Sequence, residues 1–312
     1  MTATLTDFHY GAVTPVVSYL MACLGSALGL RCTVRSMRRG TLRSRRNGWL
    51  SLGAVSIGCG IWTMHFVAMI GFSVNGSVVE YDTRLTLLSL AVAIAVVAVG
   101  VFLVGHLGAR PAVLGTAGLV TGLGVAAMHY IGMAAMDAGG TIRYDTAAVV
   151  LSVLIAVVAA TAALWAAVSV RGLWASLGAS LVMGVAVTGM HYTGMAGVSV
   201  HLDHAGTSSQ SSVGLMSFLL AMVAGPVAVL VLAAVIVMFD PEMVLGNDEQ
   251  PRGARPTTEG LTPGGFAPTG AIPEGFAPGG VTGGGYAPGG VAGGGYAPEQ
   301  YPAPPPHRYE GP

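Results

Sequence analysis

Polar and apolar positions divide the chain into seven long apolar runs joined by short polar connections, followed by a segment with no hydrophobic periodicity. The runs cover residues 13–30, 49–74, 85–107, 111–136, 147–170, 173–200 and 214–239. Each is long enough, at a helical rise of about 1.5 Å per residue, to cross the roughly 30 Å hydrocarbon core of a bilayer. The pattern predicts an all-α membrane protein with seven transmembrane helices in a domain spanning residues 1–240. Beyond Asp240 the sequence turns to Gly and Pro, with four decapeptides over 259–298 that each end in Phe-Ala-Pro or Tyr-Ala-Pro. Such a segment buries too little apolar surface to offset its ordering entropy, so residues 241–312 are expected to be a disordered tail.

Composition sharpens this picture. Apolar residues make up 53% of the chain and charged residues 9%, the reverse of what a soluble surface requires. The net charge of zero conceals an asymmetry, because Arg31, Arg35, Arg38, Arg39, Arg43, Arg45 and Arg46 crowd the first connection. The positive-inside rule makes that connection cytoplasmic, with the N-terminus outside and the C-terminus inside a multi-pass plasma-membrane protein. The Arg cluster reads as a topology anchor against anionic lipid and not as a nucleic-acid surface. Cys23, Cys32 and Cys59 form no paired motif and read as small buried residues.

The runs also contain a repeat. Met64-His65-Phe66-Val67-Ala68-Met69, Met128-His129-Tyr130-Ile131-Gly132-Met133 and Met190-His191-Tyr192-Thr193-Gly194-Met195 lie near the ends of the second, fourth and sixth runs. The His-to-His spacings of 64 and 62 residues mark a duplicated two-helix unit, giving one span plus three pairs. Tyr81-Asp82-Thr83 and Tyr144-Asp145-Thr146 stand in matching places, where Asp or Thr can cap a following helix. The three motif helices run in the same direction, so their histidines reach the same depth. His65 lies ~24 Å along its helix from Trp49, in the outer third of the bilayer. Parallel repeats suggest pseudo-threefold packing, and leave open whether the three sites converge. Gly58, Gly122 and Gly184, seven residues before each His, leave room for a neighbouring helix or a ligand.

No Asp, Glu, Lys or Arg occurs inside the runs, and ionisable groups at membrane depth default to a functional reading. On a helix, each His and the Met four positions later fall about 40° apart. Imidazole with thioether is a donor set that favours copper, Cu(I) above all. The metal candidates are Met64, His65, Met69, Met128, His129, Met133, Met190, His191 and Met195, with Tyr130 and Tyr192 placed to orient an imidazole or to donate directly. Haem is the competing cofactor, since two histidines on facing helices can be axial ligands.

Met190-His191-Tyr192-Thr193 spells MHYT, and the thrice-repeated core resembles the MHYT family of bacterial integral membrane sensor domains over about residues 9–240. The resemblance implies a copper-bound sensor of oxygen, carbon monoxide or nitric oxide, with Met, His and Tyr as ligands. Phe66 departs from the pattern and supplies no phenolic oxygen. No diguanylate cyclase, phosphodiesterase or kinase sequence follows the membrane part in this chain, so the expected output is a separate cytoplasmic partner. A copper carrier with His9, His201 and His204 as outer capture residues, and a structural anchor displaying the tail, are the other readings. No nucleophile–base pair or phosphate loop points to an enzyme.

Overall fold

Seven helices form where the apolar runs lie: α1 (Val13–Ser36), α2 (Arg43–Ile70), α3 (Thr83–Leu107), α4 (Pro111–Ala134), α5 (Thr146–Ser169), α6 (Leu173–Ala196) and α7 (Ser212–Met238). All seven are long and apolar enough to cross a membrane. The structure is a computed structural model. It describes residues 5–6, 11–37, 41–74, 79–170, 172–202 and 212–240. The tail, His9 and His204 fall outside the described residues.

The helices extend past the hydrophobic runs at one end and stop short at the other. Arg31 and Arg35 belong to α1, and Arg43, Arg45 and Arg46 open α2, rather than sitting in a connection. Hydropathy measures what lipid tolerates, whereas backbone hydrogen bonding continues into the aqueous layer. At the opposite end the motif helices stop at Ile70, Ala134 and Ala196, and the apolar residues that follow are extended. They contribute to six short strands: β1 (Leu5–Thr6), β2 (Ser73–Val74), β3 (Glu80–Tyr81), β4 (Met136–Asp137), β5 (Gly140–Tyr144) and β6 (Val198–Leu202). These pair antiparallel as β1 with β2, β3 with β4 and β5 with β6.

The pairing follows one rule three times. The strand after each motif helix joins the strand that leads into the helix before it, so α1–α2, α3–α4 and α5–α6 become matched hairpins. Tyr81 opposes Met136, and Tyr144 opposes Val198, each partner seven residues beyond its motif histidine. One backbone bond reinforces each of these two units: Asp82 N–H donates to the Ala135 carbonyl at 2.8 Å, and Asp145 N–H to the Gly197 carbonyl at 2.7 Å. The same aspartates cap α3 and α5, accepting from Leu85 N–H at 2.8 Å and Ala148 N–H at 2.9 Å. Each cap contributes about 1 kcal/mol.

The hairpins close into a ring of six helices, in chain order, with α6 packed back on α1. The motif glycines make the joints between neighbours. Gly58 on α2 abuts Ile94 of α3, Gly122 on α4 abuts Val157 of α5, and Gly184 on α6 abuts Tyr19 and Cys23 of α1. The space they leave is therefore filled by the next helix and not by a ligand. Within the first hairpin, a Cβ placed on Gly25 or Gly60 would come within 2.6 or 2.7 Å of the other's Cα. Such small-residue crossings are how helices gain van der Waals contact in lipid, where hydrophobic exclusion offers little. The seventh helix lies outside the ring against α2, where Leu230 and Ala233 cover Cys59. All three cysteines are buried and free. At its end α7 is tied to α1 by the Arg35–Asp240 ion pair, 2.9 Å long.

Candidate metal centre

Each motif histidine sits five residues before the end of its helix, so the hairpins bring the three imidazoles to one level. There they converge. The Nδ1 atoms of His65, His129 and His191 form a triangle with sides of 3.0 Å (His65–His191), 3.2 Å (His65–His129) and 3.4 Å (His129–His191). The rings stand edge to face, with interplanar angles of 82°, 78° and 89°, and each residue is 1% exposed.

Three neutral imidazoles cannot satisfy this triangle by themselves. A ring nitrogen either carries a proton and donates or has a lone pair and accepts, never both. Whatever the tautomers, at least one edge joins two donors or two acceptors. A cation at the centre removes the conflict by letting all three lone pairs point inward. For these sides the centre lies about 1.9 Å from each nitrogen, close to the about 2.0–2.1 Å of a metal–imidazole bond such as zinc's. Among the described residues this is the one group of three or more His, Cys, Asp or Glu side chains close enough to share an ion.

The glycines three positions after His129 and His191 have a definite use here. A Cβ on Gly132 would lie 2.5 Å from His65 Nε2, and one on Gly194 would lie 2.8 Å from His129 Nε2. The second and third motifs thus make space for the imidazole of the motif before each. The Nε2 atoms of His65 and His129 are buried there without a hydrogen-bond partner.

The six motif methionines are 0–3% exposed and fall into layers. Met69, Met133 and Met195 share one buried cluster with Phe72, Val74, Met136, Val198 and Val200, where the strands close over the helix ends. Met128 and Met190 belong to the large cluster that fills the bundle, and Met64 is fully buried. Tyr130 turns its hydroxyl to Ser152 Oγ on α5, 2.7 Å away. This contact braces α4 against α5. In the first repeat Phe66 has no hydroxyl, and the serine matching Ser152, Ser89 on α3, accepts instead from Trp62 Nε1 at 2.9 Å. Tyr192 is partly buried beside His191, ring centroids 5.0 Å apart.

Sequence reasoning passed over these serines, although a signal was present: Ser89 and Ser152 each lie seven residues after the aspartate caps Asp82 and Asp145. Ser18 on α1 completes the set, and all three are fully buried, each donating to the carbonyl three residues back. Another span histidine, His106, lies outside the centre; it donates from Nδ1 to the Phe102 carbonyl at 3.0 Å and is exposed. His201 pairs through its backbone with Thr141 in the β5–β6 ribbon.

A family model described as a bacterial signalling protein N-terminal repeat, the MHYT repeat, matches residues 58–117 and again residues 122–180. The chain carries MHYT repeats. The two matched MHYT repeats contain His65 and His129, and the structure adds His191 from beyond them. Relatives share this part. The bifunctional diguanylate cyclase/cyclic di-GMP phosphodiesterase MucR of Pseudomonas aeruginosa is 42% identical over 194 residues, 60% of this chain and 28% of MucR. The cyclic di-GMP phosphodiesterase NbdA of the same organism is 37% identical over 200 residues, 62% of this chain and 25% of NbdA. Signaling protein YkoW of Bacillus subtilis is 29% identical over 211 residues, 65% of this chain and 26% of YkoW. The MHYT chain therefore spans between 25% and 28% of these relatives' lengths. No solved structure matches it.

Proposed function

We propose that this MHYT protein is a membrane sensor in which His65, His129 and His191 together hold one copper ion. The stimulus is a diatomic gas (oxygen, carbon monoxide or nitric oxide) or the redox state, and the receiver is a separate cytoplasmic protein. The observation that carries the reading is the Nδ1 triangle, whose edges three neutral imidazoles cannot all satisfy and whose centre suits a metal. Its setting favours copper: the thioethers of six buried methionines lie in the adjoining layers, and soft donors around imidazole select Cu(I). Haem fits poorly, because nitrogens 3.0–3.4 Å apart leave no gap for a macrocycle between two axial imidazoles.

Bound copper would supply a centre that accepts a diatomic ligand or changes oxidation state. The protein's part is mechanical. Each imidazole belongs to a different hairpin, so any change in the triangle's size shifts α2, α4 and α6 relative to one another. The strand ribbons and the Asp82 and Asp145 backbone bonds pass that shift to the neighbouring helices. A stimulus that favours one packing over another by a few kcal/mol suffices to move the population. The names of MucR and NbdA point to cyclic di-GMP enzymes as the class of receiver. In this reading the chain is the input and catalyses nothing.

Metal analysis and an optical spectrum of the detergent-purified, desalted protein test the reading. One copper per chain and no Soret band are expected. A Soret band, or a protein that retains no copper, contradicts it.

A further inference from the structure

Directly inside the ring, one turn below the imidazoles, the bundle is not filled. A cavity of about 50 Å³ is lined at that level by Ile61, Val125 and Val187, each four residues before its motif histidine, and Met190 also contributes to its wall. Four residues of helix correspond to about 6 Å. No charged residue lines the cavity, and its two hydroxyls belong to Ser26 and Thr121, the latter bonded to the Val96 carbonyl at 3.4 Å. Its wall on α5 is built largely from small side chains, Ala159, Ala160, Ala163 and Ala167 among them. Ala160 on α5 and Val97 on α3 both line it and occupy matching positions, 63 residues apart like Asp82 and Asp145, so α5 presents the smaller side chain there.

Size and polarity together select the occupant. A water needs about 10–15 Å³ and two to four polar partners, whereas apolar cavities stay dry and take up apolar molecules such as xenon. A volume near 50 Å³ admits a diatomic molecule or one noble-gas atom and excludes a quinone ring or an acyl chain. The geometry points to a gas-holding site in this cavity, which keeps a small apolar gas next to the histidine triangle and delivers it there. Occupancy rests on the cavity alone; delivery rests on the triad being the gas-responsive centre proposed above.

Xenon is the probe. Xenon-pressurised crystals, or xenon NMR of the full chain in detergent, should show one bound atom among Ile61, Val125, Val187 and Ala160, equally in metal-free and copper-loaded protein. Ala160→Leu should weaken binding at least tenfold. Ala160→Val, which places on α5 the side chain α3 already carries, should give an intermediate loss and guards against a folding artefact. Absence of xenon from this cavity, or full binding in Ala160→Leu, overturns the site. For delivery, carbon monoxide rebinding after photolysis of the copper-loaded protein should slow several-fold in Ala160→Leu at unchanged copper content, and an unchanged rate overturns it. Failure to load copper would count against the functional reading and leave the xenon result to decide the cavity.

Discussion

The Tyr130 phenol stands one residue from a candidate ligand and braces two helices. The tyrosine hydroxyl meets the Ser152 hydroxyl at 2.7 Å, and Ser152 in turn donates to the Val149 carbonyl at 2.8 Å, so the side chain ties α4 to α5. In the first repeat the same serine position is kept and the partner changes, from a tyrosine at residue 130 to the Trp62 indole. What the repeats preserve is the brace. Tyr130→Phe should therefore lower stability by about 1 kcal/mol, the worth of one buried hydrogen bond, and leave metal content intact. Thermal unfolding in detergent and metal analysis of the same sample check both halves; loss of metal at preserved stability would return Tyr130 to the ligand set. The exchange of partners was hidden in the sequence because Trp62 lies a helical turn before Phe66, the position that matches Tyr130, and only the packed ring shows that it reaches Ser89.

The helices themselves were legible: seven uncharged runs have few other physical solutions in a bilayer. Their ends were not, because Ser73-Val74 and Val198-Ser199-Val200 continue the apolar runs of the helices they follow yet pair as strands with β1 and β5. Burial drives both outcomes, and hydropathy alone cannot separate them. The glycines seven residues before each histidine were visible as gaps, while their occupants, Ile94, Val157 and the Tyr19–Cys23 pair, became clear only once the helix order was known. In the first hairpin Gly25 packs backbone to backbone against Gly60. Gly60→Val should push α1 from α2 and cost about 1–3 kcal/mol, as overpacking does. The midpoint of thermal unfolding should fall accordingly, whereas Gly48→Val, at the start of α2 with no atom near its Cβ position, should leave it little changed. Equal midpoints for the two variants would show that the hairpin does not pack as described.

For the whole molecule, equal depth of the three histidines could be read from their spacing, and convergence could not, since it depends on α6 closing on α1 across the full length of the ring. All three imidazoles, all six methionines and the strands that cover them precede residue 203. Truncation after Asn247 should then leave membrane insertion and copper content unchanged, as quantitative blotting of membranes and metal analysis would show, and a loss of copper would mean the tail contributes to the site. The central claim is that three repeats build one centre. Copper stoichiometry in the wild type and in His65→Ala, His129→Ala and His191→Ala, with the nitrogen ligands counted by X-ray absorption, tests it most directly. One copper per chain bound by three imidazole nitrogens, and lost in every one of the three variants, is the predicted result. Three coppers per chain, or variants that each lose a third of the metal, would mean that each repeat binds its own ion and that the triangle is not the site.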